Sequence, residues 1–387
     1  MPISSVVKVV VNSCIAAVGL QNRGYQRCQQ RMWMSYKSEG IKDTDDIKVF
    51  PDSFSVAPMM EYTDRHQRTL MRMLSKHAVL YTEMVTSNAL VRSGDPNRFL
   101  DADLALEGPI VLQLGGSDPE QMNTAAKMAF DYGYREININ CGCPSEKVAG
   151  AGCFGAALML QPQLVVELAQ AVQEAVGRPA TVKCRIGVDQ QDSYEQLARF
   201  VEAVSSQAGV AHFAVHARKA VLGGIFSPHD NRSIPPLRPE MVRQLVKDFP
   251  ALRFSINGGV GSLEAALQHL QTGVQGVMVG RAVVNDPYHW RTVDSHIFHT
   301  TDPGLTRREI IIKYAQYSAD QEKIHGKRVR RALVKPVLNL FHSEVNGKRY
   351  RTAIDEYLKL PDMSVEDILL KSIECIPLEV LDNFSTS

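Results

Sequence analysis

Between residues 53 and 300 the chain switches eight times from a short apolar segment to a longer amphipathic one. The short segments, at 54–57, 79–83, 110–114, 136–140, 181–185, 212–216, 253–256 and 276–279, have the length and β-branched content of buried strands. Apolar residues at helical spacing fill 118–132, 163–176, 194–206, 239–247 and 262–270. Eight strand–helix units over about 245 residues predict an α/β fold, a (β/α)8 TIM barrel across 50–300. A doubly wound open sheet would have fewer strands and a phosphate loop after the first. Here the first strand runs instead into Pro58, Met59 and Met60.

Past the turn-rich Asp302-Pro303-Gly304, residues 305–375 keep helical periodicity without a strand, which predicts a small C-terminal helical domain. Residues 376–387 are expected to fray. The whole chain is nearly balanced, with 43 basic and 42 acidic residues, yet 307–351 holds twelve basic residues against Glu309, Asp320, Glu322 and Glu344. Such clustering predicts a surface for nucleic-acid phosphates, with Arg328, Arg330, Arg331 and Lys335 at its centre. A solvated helix face is the plainer alternative.

The first 38 residues carry Lys8, Arg23, Arg27, Arg31 and Lys37 but no acid. The extension, taken as 1–45, is expected to be disordered and has the composition of an organellar transit peptide, for mitochondrion or plastid. Without that address the protein would be cytoplasmic. No apolar run approaches the ~20 residues of a spanning helix, so no membrane partner is expected. Seven cysteines without CxxC spacing or a following His pair predict free thiols and no structural metal.

Catalytic groups in such barrels stand at strand C-termini. The fourth strand ends in Asn140 and leads into Cys143-Pro144, which places a thiol where it can meet a substrate. Gln113 ends the third strand, and the sixth ends in His216 and Arg218. Asn257, Gly258 and Gly259 end the seventh, with Gly280 and Arg281 ending the eighth. The last two ends form a phosphate cradle, because small residues let backbone N–H groups approach an anion and Arg281 adds charge. A phosphorylated cofactor, typically flavin mononucleotide (FMN), follows. Lys183, inside the fifth strand, needs an anionic or strongly polar partner, which a reduced flavin ring would provide. Gln113 and His216 are placed to bond the same ring. The GxGxxG run at 150–155 does not sit between a strand and a helix of a dinucleotide unit, so it is read as an active-site loop.

From about 53 to 350 the chain resembles the tRNA-dihydrouridine synthases, and within them the bacterial-type A subgroup acting on positions 20 and 20a of the tRNA D-loop. The resemblance rests on ordered motifs: SVAPMM at 55–60, LYTEMVT at 80–86, LQLGGS at 112–117 and NINCGCPS around Cys143. VKCRIG at 182–187, VHARK at 215–219, NRSIPPL at 231–237, SINGG at 255–259 and GVMVGR at 276–281 complete it. It implies FMN held by Pro58, Met59, Met60, Gln113, Lys183, His216, Asn257, Gly258, Gly259, Gly280 and Arg281, with NADPH as reductant. It further implies Cys143 as proton donor, Asn140 against the target base, and Arg218, Lys219, Asn231 and Arg232 against tRNA. A second thiol, Cys141, stands where the subgroup has an apolar or small residue, and Ala157 replaces a cysteine usual after the loop. A flavin barrel acting on a free pyrimidine and a non-catalytic tRNA-binding protein are the alternatives.

Overall fold

The computed structural model describes residues 51–144, 154–223, 226–227 and 229–384. The expected N-terminal extension and most of the loop at 150–155 lie outside them. Strands β1 (Phe54–Val56), β2 (Val79–Thr86), β3 (Ile110–Gly115), β4 (Ile137–Cys141), β5 (Thr181–Arg185), β6 (His212–His216), β7 (Arg253–Asn257) and β8 (Gly276–Val279) form a closed barrel in sequence order. All pairs are parallel, and β8 returns to β1. The predicted barrel is the observed one.

Alternation divides each strand into two faces. Ile137, Ile139, Val182, Cys184, Phe213, Val215, Phe254 and Ile256 point toward the helices and are buried. Their alternate neighbours Asn138, Asn140, Lys183, Arg185, His212, His216, Ser255 and Asn257 line the inside. The Lys183–Asn257 contact joins β5 to β7 past the intervening β6, which only an inward direction permits. A plug of Ala57, Val79, Tyr81, Val111, Ala214 and Met278 fills the rest of the interior. At roughly 25 cal/mol per Å² of apolar burial, the helix side carries most of the hydrophobic stabilisation.

The helices are α1 (Arg65–Leu74), α2 (Pro119–Tyr132), α3 (Pro162–Val176), α4 (Tyr194–Ala208), α5 (Pro239–Asp248), α6 (Leu263–Gln271) and the single-turn α7 (Arg281–Asn285). Asp118 caps α2, and Ser193 with Gln196 forms a capping box on α4. Three short helical segments between 87 and 107 stand where a second barrel helix was to be expected.

The C-terminal part is helical as predicted, with α8 (Arg307–His325), α9 (Gly347–Tyr357) and α10 (Val365–Ser372). Thr306 and Glu309 close a capping box at the start of α8. The described residues form one compact unit, so this segment packs with the barrel as a single body. His66 of α1 lies 2.8 Å from the Tyr317 hydroxyl of α8, and Asn339 donates to the Val284 carbonyl at 3.0 Å. The tail expected to fray from 376 is packed through Phe384. Leu381 is buried, Asp382 takes two bonds from Arg308 at 2.6 and 3.1 Å, and the Asn383 carbonyl meets the Tyr288 hydroxyl. Its apolar residues Ile376, Val380 and Leu381 find cover that only the tertiary fold creates.

Candidate active site

The site is built at the C-terminal ends of β3 to β8. Gln113 of β3 is in register with Asn138 of β4, and Asn140 is in register with Lys183 of β5. The backbone N–H groups of Gly142 and Cys143 both donate to Asn140 Oδ1 at 3.0 Å. Asn140 Nδ2 donates to Gln113 Oε1 at 2.7 Å, and Gln113 Nε2 donates to Asn138 Oδ1 at 2.7 Å. The buried amides thus satisfy one another and pin the turn that carries Cys143. Cys143 itself is half-buried at the mouth, and its carbonyl accepts from Ala156 N at 2.8 Å.

Sequence reasoning missed Arg185. Its Nε donates to the Gly142 carbonyl, and its Nη1 donates to the Lys219 and Asn231 carbonyls, all at 2.9 Å. One guanidinium therefore clamps the Cys143 turn to the loop after β6, a use of its fixed fork that a lysine could not copy. The signal was available: Arg185 lies two residues beyond Lys183 and so shares its inward face.

On the opposite wall Lys183 Nζ donates to Asn257 Oδ1 at 3.1 Å, and Asn257 Nδ2 donates to the Met278 carbonyl at 2.8 Å. Burial, then Arg185, pushes Lys183 down to about 8. His216 is held well below the usual imidazole range by burial, then by Arg185, Lys183, Arg218 and Arg281, which favours its neutral form. Gly258, at φ 103°, lies against this ring: a Cβ there would stand 2.4 Å from His216 Cδ2. Gly259 packs against Leu237 in the same manner, and Gly280 faces the Met59 sulfur. Pro58 and Met59 are half-buried beside it, and Met60 is exposed.

Lys183, Arg185, Arg218, Arg232 and Arg281 make this mouth strongly cationic. Arg281 Nη2 reaches the Arg232 carbonyl at 3.3 Å, and Arg218 donates to the Pro235 carbonyl. Burial and then Arg281 hold both Arg218 and Arg232 below the usual guanidinium value. The nearby carboxylate, Asp192, pairs with Lys219 at 3.1 Å and Arg238 at 3.6 Å. Two expected RNA contacts are therefore spent inside the protein. Lys219 also donates to the Asp189 carbonyl at 2.8 Å, and Asn231 is fully buried with its amide on Val221 and Phe226 backbone atoms. Both shape the loop that presents Arg218 and Arg232.

This constellation can hold an anion against five cations, bond a planar polar ring, and offer a thiol. The sequence pattern of the family Dihydrouridine synthase (Dus) matches residues 55–374. The chain belongs to this family. Among its members, a tRNA-dihydrouridine(20/20a) synthase of Synechocystis sp. is 47% identical over 80% of this chain and 91% of its own. Enzymes of the same name from Vibrio vulnificus and Pseudomonas aeruginosa are 43% and 44% identical, over 84% and 77% of this chain and 97% and 87% of theirs. Among solved structures, a 2-naphthoyl-CoA reductase complex shares the fold at a TM-score of 0.50, with 9% identity over 62% of this chain and 49% of that one.

In this member of the dihydrouridine synthase family the basic run of 307–351 is not one uniform face. Arg330, expected at the RNA surface, is buried in an ion pair with Glu322. Arg307 stacks 4.0 Å from the Tyr288 ring centre and pairs with Glu344. Each was unreadable from sequence because the partner is chosen by helix packing. Arg328 and Arg331 are exposed, with Arg328 Nε donating to the His325 carbonyl at 3.2 Å. Lys335 donates to the Glu61 carbonyl and lies 4.5 Å from the centre of the Tyr62 ring, which ties the helices to the loop after β1.

Proposed function

We propose that this chain reduces the C5–C6 double bond of uridine in the tRNA D-loop, at positions 20 and 20a, with FMN as cofactor and NADPH as reductant. The observation that carries the reading is the meeting of the Cys143 turn, Lys183 and His216 at the ends of adjacent strands β4, β5 and β6, around one cationic barrel mouth. The positions come from the names of the relatives that cover most of the chain.

The residues fit the flavin. Gly258 and Gly259, both at positive φ and packed without side chains against His216 and Leu237, give the bare turn that a phosphate calls for, and Arg281 supplies charge for it. Lys183, whose partner Asn257 is neutral, would face the electron-rich part of the ring, with Gln113, His216 and the Pro58–Met60 turn beside it. When bound and reduced, the flavin supplies the hydride that adds to C6 of the uracil.

Cys143 then gives the proton at Sγ to C5, where negative charge would otherwise collect. Asn140 holds the Cys143 turn, and the outward face of its amide is the group available to the base. Arg185 keeps the turn against the β6 loop. A uridine must leave its stack to enter, which favours a loop position. Arg218 and Arg232 at the mouth and Arg328 and Arg331 on the helices would take phosphates, making binding steeply salt-dependent.

The test is incubation of FMN-loaded protein with unmodified tRNA and NADPH, followed by mapping of dihydrouridine by mass spectrometry, with Cys143→Ala alongside. Product at positions 20 or 20a, lost in the variant with tRNA binding retained, bears the reading out. Turnover of a free pyrimidine, or tRNA binding without product from wild-type protein, replaces it with one of the two alternatives.

A further inference from the structure

The amide line beneath Cys143 continues below Asn138. Asn138 Nδ2 donates to Thr181 Oγ1 at 3.0 Å, and the Thr181 hydroxyl donates in turn toward Glu136 Oε1 at 3.4 Å. Its direction is dictated from the top. Two backbone N–H groups on Asn140 Oδ1 leave only the NH2 of that amide to face Gln113. Gln113 must therefore present its oxygen upward and its NH2 to Asn138, and Asn138 must present its own NH2 to Thr181. Thr181, already an acceptor, keeps its proton for a further acceptor, which the carboxyl of Glu136 provides. A reversed amide anywhere in the line would set two donors or two acceptors face to face in a buried layer.

The lower end lies in a polar nest at the foot of the barrel. Asp52 and Arg253 act on Glu136 there, and Tyr81 is a second neighbour of Thr181. Asp52 pairs with Arg253 and lies 3.1 Å from His212 Nδ1.

We propose that Asn138 and Thr181 are positioning residues, which hold the Gln113 and Asn140 amides in the rotation that sets Cys143 at the mouth, with Glu136 as the terminal acceptor. The proposal deepens the reading of Cys143 as proton donor. It assigns work to Asn138, one inward position below Asn140 on the same strand, and to Thr181 beside it on the neighbouring strand, in a line crossing β3, β4 and β5.

The test separates hydrogen bonding from packing. Thr181→Val keeps the volume and loses the hydroxyl; Thr181→Ser keeps the hydroxyl and loses a methyl group. The readout is the rate at which iodoacetamide alkylates Cys143 in the full chain, resolved by peptide mass spectrometry. Thr181→Val is expected to shift that rate by about fivefold or more, and Thr181→Ser to stay within about twofold of wild type. Asn138→Leu, which removes the next member, should shift it as Thr181→Val does, and stands in where that variant does not fold. Equal rates in wild type, Thr181→Val and Asn138→Leu overturn the proposal. So does a larger shift in Thr181→Ser than in Thr181→Val, the order that a packing role gives. Dihydrouridine formation is recorded on the same preparations. Wild-type protein that makes none strikes the proposed function alone, because the alkylation ratio does not depend on turnover.

Discussion

Arg330 and Glu322 form an ion pair in which both side chains are largely buried, 9% and 14% exposed, while Arg331 in the next position faces solvent. Removing one member of such a pair strands the other charge. Arg330→Ala should cost about 3 kcal/mol in chemical denaturation, and Arg331→Ala within about 0.5 kcal/mol. In tRNA binding the order reverses at the level of mechanism: Arg331→Ala should lower affinity and reduce the salt slope by about 1 in a folded protein. An Arg331→Ala protein with an unchanged slope would remove that residue from the RNA surface.

Lys183 carries a pH signature. Its value falls to about 8 in the folded protein from an ordinary 10.5, so the unfolded chain binds the extra proton between those limits. Stability contributed by the neutral amine is present above ~10.5 and lost as pH falls through about 8. Cofactor-free wild type should therefore gain stability relative to Lys183→Met as pH is raised from about 8 toward 10. Thermal melts of the two proteins across that range check the sign, and a gap that does not change with pH contradicts it.

Arg185→Lys keeps the charge and removes the fork. Three carbonyl contacts at 2.9 Å from two nitrogens cannot be spanned by one ammonium. We expect a loss of about 2 kcal/mol in unfolding free energy and faster alkylation of Cys143 as its turn separates from the β6 loop. Wild-type stability and thiol reactivity together would show the clamp to be dispensable.

Gly258→Ala meets two penalties, a positive φ of 103° and a Cβ within 2.4 Å of the His216 ring. Destabilisation of at least about 1 kcal/mol is expected, with flavin retention reduced on gel filtration. Gly261, with open space around it, is the control position: Gly261→Ala should leave retention intact.

Much of this was visible in the sequence, for reasons that the structure makes plain. Strands such as ININC at 137–141 and TVKCR at 181–185 alternate, so the barrel and the inward residues Asn140 and Lys183 could be placed by period, and His216 by its place at a strand end. Charge partnerships could not. Arg330 with Glu322, Lys219 with Asp192 and Arg308 with Asp382 look like free cations in a string of letters, because each partner is brought near by packing. Asn231 likewise sits in a polar motif yet is fully buried, since its loop folds around its amide. Arg185 is a different case: spacing pointed to it, but its chemistry lies in backbone carbonyls that sequence does not display.

The two-faced strands have a consequence for how this chain tolerates change. In β4, Ile137, Ile139 and Cys141 answer to the helices, and Asn138 and Asn140 answer to the barrel mouth. Deleting one residue ahead of Ile137 would exchange the two sets, driving amides into the apolar layer and isoleucines under Cys143. Substitutions at alternate positions can be tried one by one, whereas a frame shift of a single residue loses folding and chemistry together. Lineages carrying this fold should therefore vary β4 by replacement and confine insertions and deletions to its flanking loops.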